Sequence, residues 1–240
     1  MIEPRPASTY FQGKTVLIAE GTRGLGAHCS AQFYRWGAKV IATESLSPNG
    51  DGNSLEDLLG KDGLSHIRVH PADLSEKGEI PALLEKLGAT MSRIDFFVSL
   101  GLEHGDRKAM DIFDENYFIE DIKTTAWPFF ETFLGLINTF ETRPSQSLIL
   151  FEEMAGKRDP DREVTTGMIE TLTQYLMTHY LYDNCRINLV KVIHSTEPDA
   201  LDVTREAAAR TVVTLCSGLL DVMSGQTITL DMGRACIQPS

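Results

Sequence analysis

The sequence predicts an α/β protein: a doubly wound, mostly parallel sheet with helices on both faces, formed by residues 1–240 as one domain. Three observations carry this. Short apolar runs alternate with helix-period segments along the chain, which is the order of a parallel sheet with crossover helices. Several runs, such as Val16–Ala19 and Ile94–Ser99, are apolar without alternation, as strands covered on both faces must be. No repeat, low-complexity tract or linker divides the 240 residues.

Element by element, Val16–Ala19 reads as a first strand, followed by the glycine-rich stretch Gly21–Gly26 and a helix ending near Gly37. Lys39–Thr43, with β-branched Val40 and Ile41, reads as the second strand. Residues 45–63, rich in Ser, Asn, Gly and Asp, read as loop with one helical turn around Leu55–Leu59. His66–His70 is a third strand, Glu79–Gly88 a helix and Ile94–Ser99 a fourth strand. Asp114–Thr139 is a long helical region with a break expected at Pro128. Ser147–Phe151 makes a fifth strand, and Thr165–Tyr182 a helix with Ile169, Leu172, Leu176 and Tyr180 three or four apart. Arg186–Ile193, Thr204–Leu215 and Thr227–Asp231 complete the series as strand, helix and strand.

Composition narrows the function classes. A formal net charge of -12 lacks the basic surface that nucleic-acid binding needs, and it argues against anionic membranes. No run approaches the roughly 20 apolar residues that cross a bilayer, and the N-terminal stretch does not resemble a secretory signal. Cys29, Cys185, Cys216 and Cys236 form no metal-binding pair and read as free thiols of a reducing compartment, so a cytoplasmic location and no metal are expected.

Four segments in this order, GKTVLIAEGTRGLGA, RIDFFVSLG, CRINLV and SGQTITLDMG, resemble the short-chain dehydrogenase/reductase family over about Gly13 to Gly233. The glycine turn alone is a weak signal, and the terminal G-Q-T-x-x-x-D-x-G adds an independent one. The resemblance implies a Rossmann-like fold, NAD or NADP as cofactor, carbonyl/alcohol chemistry and assembly as dimers or tetramers. Residue by residue, it places Gly24 and Gly26 in the pyrophosphate turn, with Glu20 where the family has its first glycine. Small residues here can also serve strand-to-helix packing alone. Glu44 falls where an acid holds the adenosine ribose and favours NAD, or it is a surface carboxylate at a strand end. Asp73 aligns beside the adenine, or it caps the following helix. Ser99-Leu100-Gly101-Leu102 replaces the family's N-N-A-G.

The family's catalytic residues are a tyrosine, a lysine four residues on, a serine and an asparagine, acting together by general acid/base chemistry. The serine positions here are Glu152 and Glu153. The register without a gap puts Arg162 at the tyrosine and Thr166 at the lysine; a slide of four puts Thr166 and Glu170 there instead. Lys123 takes the asparagine position, and neither register restores a Tyr-x3-Lys pair. The Glu153-to-Arg162 interval is shorter than usual, and Val192-Ile193-His194 replaces the family's P-G. Tyr175 and His179 lie four apart on one helical face and suit interface or core packing; His28 and His104 have no ligand partner at recognisable spacing.

The sequence thus predicts a non-catalytic subunit that binds no cofactor tightly and supports a catalytically complete NAD-dependent paralogue in a hetero-oligomer. The aromatic helix face of Trp127, Phe129, Phe130, Phe133 and Leu134 is expected at that interface, or packed on its own sheet. Such a pair is similar in logic to heteromeric dehydrogenases of 3-hydroxyacyl-CoA substrates, including one that oxidises a hydroxybenzylsuccinyl-CoA. The alternatives are a diverged NAD(P)-dependent oxidoreductase with an atypical active site, and a homo-oligomeric small-molecule sensor.

Overall fold

A computed structural model describes residues 11–44, 52–72, 78–90, 94–100, 115–140, 145–154, 160–180, 185–194, 201–220 and 222–231. Among the described residues, seven strands form one sheet: β1 Thr15–Ile18, β2 Lys39–Glu44, β3 Arg68–Pro71, β4 Phe96–Leu100, β5 Ser145–Met154, β6 Cys185–His194 and β7 Thr227–Leu230. Their spatial order is β3-β2-β1-β4-β5-β6-β7, and every pairing is parallel. The helices are α1 Gly24–Arg35, α2 Leu55–Ser65, α3 Glu79–Thr90, α4 Glu115–Asp121, α5 Trp127–Phe140, α6 Pro160–Tyr180 and α7 Leu201–Cys216. The fold is therefore the single doubly wound sheet expected from the sequence.

The continuous apolar strands are explained by two cores, one on each face. Successive strand side chains point to opposite faces, so Val16 and Ile18 join Phe33, Val212 and Val213 on the α1/α7 side. Leu17 and Ala19 join Leu83, Phe133 and Ile169 on the α3/α5/α6 side. Phe11 seals the first core edge-on against Phe33, at 5.4 Å between ring centroids, and against Phe96 at 5.6 Å. The aromatic helix face divides: Phe133 is fully buried on its own sheet, while Trp127 and Leu134 are exposed.

Two elements differ from expectation. The stretch read as loop with one turn contains an eleven-residue helix, α2. Ser54 and Asp57 close a capping box at its start: the Asp57 backbone N–H donates to the Ser54 hydroxyl at 3.2 Å, and the Ser54 N–H donates to the Asp57 carboxylate at 2.8 Å. Gly60, at φ 67°, then kinks the helix, which is why its periodicity is faint in the sequence. In the long helical region the irregularity precedes Pro128. A π-helical turn spans Ile122–Ala126, and α5 restarts at Trp127. Pro128 is the second residue of α5, directly after this π-helical turn. Among the described residues no helix is long and apolar enough to cross a membrane, and Cys29, Cys185 and Cys216 are buried. Cys236 lies outside the described residues.

Candidate functional site

The strand order reverses between β1 and β4, and in open parallel sheets the crevice outside the carboxyl ends of such strands is where ligands bind. Residues 19–26 form the turn that leaves β1 at this point. Both neighbouring strands anchor it. The Ala19 N–H donates to the Val98 carbonyl at 2.9 Å, and the Gly21 N–H to the Thr43 carbonyl at 2.9 Å. The Glu20 N–H donates to Thr43 Oγ1 at 3.1 Å, and Ser30 Oγ donates to the Gly21 carbonyl at 2.8 Å.

The glycines of this turn are required by its shape. A Cβ on Gly26 would collide with the carbonyl oxygen of Glu20, so only glycine lets α1 start this close to the strand end. Gly24 has φ 52°. Glu20 has φ 55°, the only described non-glycine residue with positive φ, so the turn keeps a glycine-like backbone although a glutamate occupies it. Helix α1 has no side-chain cap and no acid in its first turn, which leaves its positive end without a neutralising carboxylate there. A tight glycine turn leading into a helix start without a side-chain cap fits the pyrophosphate of a dinucleotide. The Glu20 carboxylate is the one feature of the turn that opposes an anion.

Glu44 ends β2, exposed and in register with Pro71 of β3. It sits one strand away from the turn, at the carboxyl edge of the sheet. Asp73 lies outside the described residues, as do Gly101, Leu102 and His104. Ser99 is buried and Leu100 half-buried at the end of β4.

The positions aligned with the catalytic residues are spread over three elements. Glu153 is in β5, in register with Ile193 of β6. Arg162 falls in the first turn of α6. Thr166 follows one helical turn later and is buried, and its hydroxyl has no partner among the described residues. Lys123 is exposed on the π-helical turn. Thr166 differs from Thr171 and Thr178 of the same helix, whose hydroxyls donate to the carbonyls four residues back at 3.0 Å.

Sequence reasoning missed Lys191. Its ammonium lies 2.6 Å from the Glu170 carboxylate of α6, and both side chains are largely covered. Glu170 is one turn beyond Thr166, on the helix stripe that buries Thr166, Ile169, Thr173 and Leu176. A lone lysine inside the apolar run INLVKVI was the available signal, because a charge on the covered face of an internal strand must find a partner. Tyr175 and His179 do meet, with ring centroids 4.0 Å apart and planes tilted by 34°, but on the exposed side of α6. His28 is buried on α1 and faces Asp202 of α7 at 3.4 Å. Burial holds its pKa below the ordinary value, against the opposing pull of Asp202. No group of described His, Cys, Asp and Glu residues can hold a metal ion.

No family model matches the chain. Among curated proteins, the 3-oxoacyl-acyl-carrier-protein reductase FabG of Escherichia coli is 29% identical over 107 residues, which cover 45% of this chain and 41% of that protein. The match therefore spans about two fifths of the relative's length. Among solved structures, the Pseudomonas aeruginosa RhlG/NADP complex superimposes with TM-score 0.77 at 16% identity, covering 95% of this chain and 98% of that one. The 3-ketoacyl-acyl-carrier-protein reductase of Brucella melitensis, complexed with NADH, gives TM-score 0.73 at 19% identity over 94% and 99%. The fold is that of the short-chain dehydrogenases/reductases. These comparisons correct two expectations from the sequence, a non-catalytic supporting subunit and a chain without a tightly bound cofactor. The proteins of this fold that it resembles include reductases whose structures hold NADP or NADH directly. The turn that would weaken binding here is built with glycine-like geometry despite Glu20.

Proposed function

We propose that the chain is a diverged NAD(P)-dependent oxidoreductase of the short-chain dehydrogenase/reductase superfamily, with an active site that departs from the Tyr-x3-Lys pattern. The observation that carries this is the glycine turn at the sheet's switch point, whose close approach at Gly26 and helix start without a side-chain cap suit a pyrophosphate. A bound nicotinamide dinucleotide would supply the hydride for a carbonyl/alcohol pair. Gly24 and Gly26 would hold the pyrophosphate. Glu44 would accept hydrogen bonds from the adenosine ribose and repel a 2′-phosphate, which favours NAD over NADP.

The proton that accompanies the hydride has no tyrosine to come from at the aligned positions, Arg162 and Thr166. On the α6-facing side of the sheet, the buried Thr166 hydroxyl is available as a hydrogen-bond donor, and the Lys191 ammonium, held by Glu170, carries exchangeable protons. The 3-oxoacyl reductases among the similar proteins make 3-oxoacyl thioesters the first substrates to try.

The test is calorimetric titration with NADH and NADPH, followed by dinucleotide oxidation in the presence of 3-oxoacyl thioesters. NADH is expected to bind more tightly than NADPH, and Glu44→Ala is expected to narrow that preference by about tenfold. Absence of binding by either dinucleotide overturns the reading.

A further inference from the structure

The outer side of the glycine turn is gripped by a strap from far along the chain. Residues 52–55 run beside it: the Gly24 N–H donates to the Asn53 carbonyl at 3.2 Å, and the Leu55 N–H donates to the Thr22 carbonyl at 2.9 Å. Arg23 and Ser54 form an antiparallel bridge between these two bonds. Three consecutive residues on each side are thus paired, which fixes the backbone from Thr22 to Gly24.

The strap is itself tied to α7. Asn53 Nδ2 donates to Asp202 Oδ2 at 2.9 Å, while Asp202 Oδ1 faces His28 Nε2 of α1. One carboxylate therefore joins the strap to the helix that the glycine turn starts. Beneath the strap, Arg205 is 1% exposed, and a Cβ on Gly52 would collide with its guanidinium. Gly52 has φ 104°, so both its backbone and its lack of side chain serve this close approach.

We propose that Asp202, acting through Asn53, is a positioning residue for the pyrophosphate turn. This rests on the oxidoreductase reading above. A phosphate site made of backbone amides works only if the amides are held in place before the ligand arrives, since ordering them on binding would cost affinity. Residues 20 and 24 both have positive φ, and local sequence alone does not hold that geometry. The strap supplies the missing constraint, and Asp202 holds the strap.

The test compares the wild type with Asn53→Ala, Asp202→Ala and Asp202→Asn, titrated with NADH and with adenosine, which carries no pyrophosphate. Both alanine variants are expected to bind NADH on the order of tenfold more weakly, the cost of one charge-assisted hydrogen bond, with adenosine affinity unchanged. Asp202→Asn keeps an oxygen that accepts from Asn53 and is expected to retain most of the NADH affinity. Without ligand, hydrogen exchange at the Gly24 and Leu55 amides should accelerate in the alanine variants, while thermal melting confirms that they fold. Unchanged NADH affinity in both alanine variants overturns the proposal and leaves the oxidoreductase reading standing. Equal losses for adenosine and NADH also overturn it, because they mark general destabilisation. A wild type that binds neither NADH nor NADPH overturns the oxidoreductase reading and the positioning role together.

Discussion

At the residue scale, two side chains sit where local energetics are unfavourable. Glu20 occupies the left-handed region, where a Cβ costs about 1–2 kcal/mol. Part of that is regained because a glycine would be freer in the unfolded chain. Glu20→Gly is therefore expected to raise stability by at most about 1 kcal/mol in urea denaturation. Removing the carboxylate from the turn should also tighten NADH binding in the same protein. His28 is the second case. Burial lowers its pKa below the ordinary 6.5, so the folded chain takes up a proton less readily than the unfolded one. Stability is full above about pH 6.5, declines as the pH falls below it, and stops declining once the folded-state imidazole is also protonated. His70 on β3 is lowered in the same sense by burial and by Arg68 and Lys86, so it adds to the decline. Denaturation midpoints measured across that window should fall less steeply for His28→Gln than for the wild type. An identical slope would show that His28 titrates alike in the folded and unfolded states.

At the element scale, the Lys191–Glu170 ion pair joins helix α6 to strand β6 in a layer that also buries Ile169, Leu189, Thr166 and Thr173. Lys191 and Glu170 are each about a quarter to a third exposed, at 24% and 31%, so solvent screens part of their attraction. A double-mutant cycle of Lys191→Met and Glu170→Gln should give a coupling near 1 kcal/mol. The larger effect is expected on turnover. If Lys191 supplies or steadies the transferred proton, Lys191→Met lowers kcat and shifts its pH profile while the NADH dissociation constant stays constant. A fall in kcat matched by an equal loss of NADH affinity would instead assign the pair to cofactor placement. The same elements show which local signals were readable. The capping box at Ser54 and Asp57 was present in the sequence as S-x-x-D, yet the surrounding Ser, Asn and Gly outweighed it. Pro128 was visible as a breaker, but the π-helical turn before it has no sequence signature, because it reflects how the helix seats on its sheet.

At the scale of the whole molecule, the two cores are joined by the central strands, and Phe96 and Phe97 of β4 face opposite ones. Each is almost completely buried, at 1% and 0% exposure. Phe97→Ala is expected to cost about 3–5 kcal/mol in chemical denaturation, from lost burial and the cavity left behind. Because β4 also forms one wall of the switch-point crevice, the same variant should weaken NADH binding. A cost under about 1 kcal/mol would mean that the α3/α5/α6 core collapses around the gap.

The sequence by itself determined the layering of the protein and the place of its glycine turn. Period-two and period-3.6 patterns follow from backbone geometry, and Gly26 marks a close approach that no other residue permits. It also established that the helix after the fifth strand carries Arg162 and Thr166, not a Tyr-x3-Lys pair, at the aligned positions. Only the tertiary structure decided which polar groups meet. Asn53 and Asp202 are 149 residues apart in sequence, and His28 and Asp202 are 174 apart. Nothing local distinguishes such an aspartate from one on a solvated helix end. Lys191 and Glu170 likewise look like ordinary charges until the sheet stacks β6 beneath α6. The conformation of Glu20 was also beyond sequence reasoning, since a glutamate reads as a lost turn unless β2, β4 and the strap at Asn53 hold the backbone in place around it. Long-range hydrogen bonds impose that geometry, and they exist only once the chain has folded.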